Sequence, residues 1–275
     1  MKPKLHVIVC LAVAILLLTT SCHKEPKNTA ATAWMGLHLH TYIGDTLVDP
    51  SALNVYVHDS AGRAEKLSHA QFYITNISLH STTNGWYVIP NSLILKREEN
   101  EEYPIANVPA DNYDDVRFTV GLSAALNSGS PTGYPVTGTD SVLSSIESVM
   151  YFGTGLGYKF MSVAGVVDTS ANNAGVNVIP FSYDLGATND TAVITLPVEP
   201  FTLQPSANVA NNVQFIHIVC DYGHLLQNVP IVTNVGSRAV NTNGTIPQAG
   251  SIGAQIWNNI LSMFRYECST PNGNC

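Results

Sequence analysis

The sequence predicts a mainly β fold, a sandwich or open barrel, with one helix near the C-terminus. Three observations carry this: many short segments alternate apolar and polar residues, loops rich in Gly, Asn, Ser and Pro separate them, and only one segment has a strong helical stripe. In the first strand, residues 34–42, Met35, Leu37 and Leu39 fall on one face and His38, His40 and Tyr42 on the other. Residues 53–58 alternate again. In residues 71–80, Phe72, Ile74, Asn76 and Ser78 oppose Tyr73, Thr75, Ile77 and Leu79. Further strands are expected at 85–90, 92–96, 115–122, 159–167, 178–185, 191–198 and 213–219, which leads to an expectation of roughly seven to ten strands. The helix is expected over 251–264, where Ile252, Ile256, Ile260 and Phe264 recur every four residues. Residues 221–227 and 141–150 are weaker helical candidates, and 123–139 reads as a long surface loop.

The N-terminus sets the compartment. Lys2 and Lys4 precede an apolar run over residues 7–18, too short for a typical membrane span and suited to a secretory signal. Thr19-Thr20-Ser21-Cys22 follows and resembles a bacterial lipobox, with Thr19 where Leu is usual. Residues 1–21 are therefore read as a lipoprotein signal and Cys22 as the lipidated first mature residue. Acyl chains there, each methylene adding about 0.8 kcal/mol of membrane affinity, would hold the protein on a bilayer. Residues 22–33 read as a tether, 34–266 as the β domain and 267–275 as a tail. The expected location is the cell envelope, lipid-anchored in the outer membrane, facing the periplasm or the outside.

The chain holds 12 Lys+Arg and 20 Asp+Glu. Lys2 and Lys4 are the only Lys or Arg before Cys22, so the remainder carries 10 against 20, a net charge near −10 with His neutral. That balance argues against nucleic acid, which needs clustered cations. Cys268 and Cys275 enclose a turn-forming Ser-Thr-Pro-Asn-Gly-Asn loop and are expected to form a disulfide in an oxidising compartment. Cys220 sits in an apolar run and reads as a buried thiol.

No Gly-x-Ser-x-Gly elbow, His-Glu-x-x-His pair, phosphate loop or dinucleotide fingerprint appears, so a binding protein is expected rather than an enzyme. The glycines of Gly153-Thr154-Gly155-Leu156-Gly157 read as turn formers. His38 and His40, two apart on one strand, point the same way. Two imidazoles so placed can reach one copper, zinc or nickel ion; a solvated strand face that happens to hold two histidines is the competing reading. His217 alternates with Ile216 and Ile218, which leaves its facing open.

Seven segments in order resemble the MbnP-like family of periplasmic copper-binding proteins associated with methanobactin. Residues 71–79, Gln-Phe-Tyr-Ile-Thr-Asn-Ile-Ser-Leu, are similar to its KFYISNI.L strand, and Val108-Pro109-Ala110-Asp111-Asn112-Tyr113 to VPAGTY. Residues 116–122 resemble I.F.IGV, residues 150–160 resemble MYW.W..GYKF, and 181–186 resemble F.FHLG. The opening strand with His40 and the closing helix ending in Met263-Phe264 complete the set, over about residues 34–266. The resemblance implies an extracytoplasmic β-sandwich of immunoglobulin-like or Greek-key type, and copper as ligand. The copper features it implies are an opening-strand histidine, the histidine of FHLG and a tryptophan oxidised to kynurenine, which in turn implies a di-haem peroxidase partner. This chain departs there: Phe152 and Thr154 replace the two tryptophans, and Asp184 stands at the FHLG histidine. The expected metal residues are therefore His38 and His40, with Asp184 or Met150 as helpers, in an altered copper site. A metal-free binding or structural module of the cell surface is the alternative.

Overall fold

A computed structural model describes residues 31–49, 57–58, 62–170, 177–186, 191–205, 212–231, 236–240 and 252–267. The signal segment, Cys22, Cys268 and Cys275 lie outside the described residues, as does most of the expected strand at 53–58. The described residues from Thr32 onward belong to one compact unit.

In chain order the strands are β1 (Thr32–Ile43), β2 (Thr46–Leu47), β3 (Val57–His58), β4 (Ala64–Ser81), β5 (Gly85–Val88), β6 (Leu93–Lys96), β7 (Glu102–Pro109) and β8 (Asn112–Val120). They continue with β9 (Tyr151–Gly153), β10 (Gly157–Tyr158), β11 (Met161–Asp168), β12 (Val178–Leu185), β13 (Ala192–Thr202), β14 (Gln214–Asp221), β15 (Gly236–Val240) and β16 (Phe264–Tyr266). The helices are α1 (Ala124–Asn127), α2 (Tyr222–Leu225) and α3 (Ile252–Met263). Sixteen strand segments among the described residues exceed the seven to ten expected, because several have only two to five residues and carry too little alternation to be read.

Two sheets form the sandwich. One has five strands in the order β16-β14-β1-β2, with β7 on the other side of β1. The other has nine, running β13-β8-β4-β11-β12-β15, with β3, β5 and β6 also on β4. Pairing is antiparallel except for β1 with β14 and β12 with β15. One apolar core joins the sheets: Met35, Leu37 and Leu39 of β1 and Ile216 and Ile218 of β14 share it with Phe72, Phe118, Val163 and Ile194 of the larger sheet. Phe264 closes it with edge contacts to Phe72 and Phe118, ring centroids 5.6 and 5.2 Å apart. Truncating any of these leucines to Ala would cost about 2–5 kcal/mol. The expected sandwich with a C-terminal helix is the fold observed.

Several local expectations change. In β4 the alternation does not run through: Phe72 and Ile74 share the main core with Ile77 and Leu79. Asn76 takes a left-handed conformation (φ 54°), and the pairing with β8 shifts between Thr75 and Ser78. This bulge reverses the facing of every later residue. The strand β7 was not expected, since Pro104 and Pro109 break its pattern. Among the described residues it pairs with β1 alone, and an edge is where prolines are tolerated. The candidate helix at 141–150 is two 3-10 turns, Thr139–Leu143 and Ser145–Met150. Helix α3 ends at Met263, and Phe264 begins β16. Tyr113 turns a corner, its hydroxyl donating to the Pro109 carbonyl at 2.8 Å. The glycine-rich segment is the β9–β10 turn, with positive φ at Gly153, Gly155 and Gly157.

Candidate metal centre

The parallel register of β1 and β14 places His38 directly beside His217 and His40 beside Val219. Inward-facing Met35, Leu37, Leu39 and Thr41 fix the parity of β1, so His38, His40 and Tyr42 face outward. On β14, Ile216, Ile218 and Cys220 are buried, which turns His217 outward as well. Three imidazoles thus meet on the outer face of the five-stranded sheet, with ring centroids 3.9 Å apart for His38–His40, 4.8 Å for His38–His217 and 5.3 Å for His40–His217. One nitrogen from each lies within 4.8 Å of the others. Phe215 flanks them, its ring edge-on to His38. Residue 36 must be glycine for that ring to fit, because a Cβ there would stand 2.6 Å from it and 2.7 Å from the Tyr103 carbonyl oxygen.

Two carboxylates border the cluster. Glu101 Oε2 is 3.6 Å from His38 Nε2 and 3.8 Å from His40 Nδ1. Its other oxygen accepts from the Thr41 amide at 3.1 Å, and its backbone carbonyl accepts from the Leu39 amide at 2.8 Å. Glu267 follows β16, held beside His217 by the hydrogen bond its backbone N–H donates to the His217 carbonyl at 3.0 Å. Its Oε2 is 2.9 Å from His40 Nε2 and 3.7 Å from His217 Nδ1, while Oε1 accepts from the Tyr42 hydroxyl at 3.0 Å.

Burial pushes His40 below the usual imidazole range; His38 and His217 add to this, against Glu267 and Glu101. Burial, then His38, lowers His217 too. Both rings are thereby kept neutral near pH 7, the state in which imidazole donates a lone pair to a metal. Three imidazoles with carboxylates alongside suit Cu(II), Zn(II) or Ni(II).

The positions that the resemblance tied to copper are filled differently. Asp184, on β12 of the larger sheet, is not part of the histidine group. Lys159 Nζ lies 3.0 Å from its Oδ2, and the Ser162 hydroxyl donates to its Oδ1 at 2.6 Å. The same ammonium stands 5.8 Å from the centre of the Phe152 ring. A carboxylate neutralised by a lysine beside a phenyl ring does not fit a copper ion. Met150 is buried in a second, smaller apolar cluster with Tyr158 and Phe160, away from the histidines. Of the expected ligands, the structure therefore brings together His38 and His40 and leaves out Asp184 and Met150. The sequence left the facing of His217 open and gave no hint of Glu101 or Glu267. Buried neighbours could have settled the first; the second needs the pairing of distant strands.

Two other groups of potential donors occur among the described residues. Asp221 with Asp45 and His224 is one, but Asp221 is spent on backbone amides of Gly44, Asp45, Gly223 and His224. The other is His80 with Asp114 and Asp115. There His80 Nδ1 bonds Asp114 at 2.6 Å and the ring packs against Trp86 at 5.1 Å, a closed surface pair.

Comparison with known proteins gives a family and a structure. The MbnP family model matches residues 33–244. The solved structure of MbnP from Methylosinus trichosporium is similar over 85% of this chain and 97% of its own, at 11% identity and a TM-score of 0.49. No curated protein matches.

Proposed function

The chain belongs to the MbnP family, and on that premise we propose that it is a copper-handling protein of the cell envelope whose metal is held by His38, His40 and His217. The observation that carries this reading is the convergence of three outward-facing imidazoles, from two strands far apart in the chain, within 4.8 Å of one another. A solvated strand face would account for His38 and His40, which share a strand. It does not account for a third histidine in register beside them. The Lys159–Asp184 ion pair in place of the implied site supports an altered centre rather than a copy of the family's.

In this reading Cys22 carries the lipid anchor, and the domain works at the outer membrane as a binding protein rather than an enzyme. The support is the basic start, the apolar run and the lipobox-like Thr19-Thr20-Ser21-Cys22. Among the described residues no helix is long and apolar enough to cross a membrane. With Phe152 and Thr154 at the tryptophan positions, a di-haem peroxidase has no role in this reading.

Titration of the purified chain with Cu(II) and Cu(I), beside a His38→Ala/His40→Ala variant, tests it. The wild type should take up one ion that the variant does not. Equal binding by the variant, or wild-type binding no tighter than a lone surface histidine gives, would leave a metal-free surface module as the better account.

A further inference from the structure

The closest-set donors in the cluster are not the three histidines. His40 Nε2 is 3.1 Å from His217 Nδ1 and 2.9 Å from Glu267 Oε2, and the third side, His217 Nδ1 to Glu267 Oε2, is 3.7 Å. A triangle with these edges has a centre about 1.9 Å from every corner, and an ion with bonds of about 2.0–2.1 Å would sit less than about 1 Å above that plane. Tetrahedral donors at such a bond length stand about 3.3 Å apart, close to the mean of the three edges. Without an ion the arrangement is hard to satisfy. His40 Nε2 carries either a proton or a lone pair, never both, so it cannot be the hydrogen-bond partner of His217 Nδ1 and of the Glu267 carboxylate at once unless a proton is shared.

The surroundings hold the donors as outer groups hold metal ligands. Glu101 faces His40 Nδ1 from 3.8 Å, which favours the tautomer protonated there and frees Nε2. The Tyr42 hydroxyl fixes the second oxygen of Glu267 and leaves Oε2 directed at the histidines. His38 stands on the remaining side, its ring 3.9 Å from that of His40.

We propose that Glu267 is an inner ligand of this centre, forming with His40 and His217 the triangle that His38 closes, and that the centre is therefore built for a divalent ion, Cu(II) or Zn(II), in preference to Cu(I). The inference rests on the reading of the histidine cluster as a metal centre. A carboxylate is a hard, charged donor that favours the divalent ion, whereas Cu(I) favours soft thiolate and thioether donors, of which this cluster has none. The ion would also join three strands, since His40 lies on β1, His217 on β14 and Glu267 at the end of β16.

The test uses the purified full chain, wild type and Glu267→Gln, titrated separately with Cu(II), Zn(II) and Cu(I) against competing chelators. Cu(II) electron paramagnetic resonance and the melting temperature of the metal-free protein are recorded for both. Glu267→Gln should weaken Cu(II) and Zn(II) by at least about tenfold and Cu(I) by less than about threefold, change the Cu(II) spectrum, and leave the metal-free melting temperature nearly unmoved. Unchanged Cu(II) and Zn(II) affinities in the variant, or an equal loss for Cu(I), overturn the role given to Glu267 while leaving the histidine centre standing. A wild type that binds none of the three ions tightly overturns the centre itself.

Discussion

The carboxylate of Asp221 is fully buried at the end of β14, and its removal should be among the most damaging single changes in the chain. Oδ1 accepts from the amides of Gly44, Gly223 and His224 at 2.9, 2.9 and 3.2 Å. Oδ2 accepts from the amide of Asp45 at 2.8 Å and from Arg265 at 3.4 Å. One side chain thus caps α2 and ties down the β1–β2 turn, where Gly44 and Asp45 both have positive φ. A hydrogen bond to a charged group is worth about 1.5–3 kcal/mol, and a buried donor left without a partner costs about 1–3 kcal/mol. These do not add, and water can reach the turn side once it loosens. Asp221→Ala should therefore cost about 4 kcal/mol. Asp221→Asn keeps an oxygen for three amides but sets an NH2 against Asp45 and Arg265, and should cost about 2 kcal/mol. Urea unfolding followed by circular dichroism, with the slope checked for constancy, gives both values. Against a net stability of about 5–15 kcal/mol the first is a large fraction. An Asp221→Ala protein within 1 kcal/mol of wild type would refute the reasoning, because it would mean that water replaces every one of these bonds.

Burial alone would raise the pKa of Glu98, but His69, the Glu98 amide and Gln71 outweigh it and hold it at about 2. A lowered folded-state value stabilises above the ordinary 4.5 and is lost as the pH falls from there toward 2. After allowance for solvent screening the contribution is about 1–2 kcal/mol, so Glu98→Gln should flatten that limb of the urea-midpoint curve; an unchanged limb would remove Glu98 from the account. Cys22→Ser should leave an uncleaved or soluble precursor, and absence of palmitate label from the wild type would defeat the anchor. Thiol counting on the denatured, unreduced mature protein should find one free thiol, on Cys220, which is buried here. A count of three would refute the Cys268–Cys275 bond, which by the chain-entropy estimate contributes on the order of 2 kcal/mol.

What could be read from the sequence was what one strand states about itself. The alternation of β1 gave the outward facing of His38 and His40, and the four-residue spacing of Ile252, Ile256 and Ile260 gave α3. Features created by a second segment were illegible. The bulge at Asn76 reverses β4, and a count of period two runs through it unaware; the tolerance of asparagine for left-handed backbone was the only clue. The partnership of His217 with His38 depends on the register of two strands separated by most of the chain, and no local pattern encodes it. Asp184 was matched to a ligand position by motif alone, and the motif carries no record that Lys159 would neutralise it.

His40 and His217 are 177 residues apart in sequence. The strand that opens the domain waits for its parallel neighbour until nearly the whole polypeptide is available, and such distant closure is slow. A growing or half-folded chain offers an ion only the His38–His40 pair, with neither His217 nor Glu267 to complete it. In a metal centre of the kind proposed, strong affinity would therefore be a late property, acquired when the sandwich shuts. On the proposed reading, a chain that has not finished folding would compete poorly for copper, and loading would follow maturation instead of guiding it.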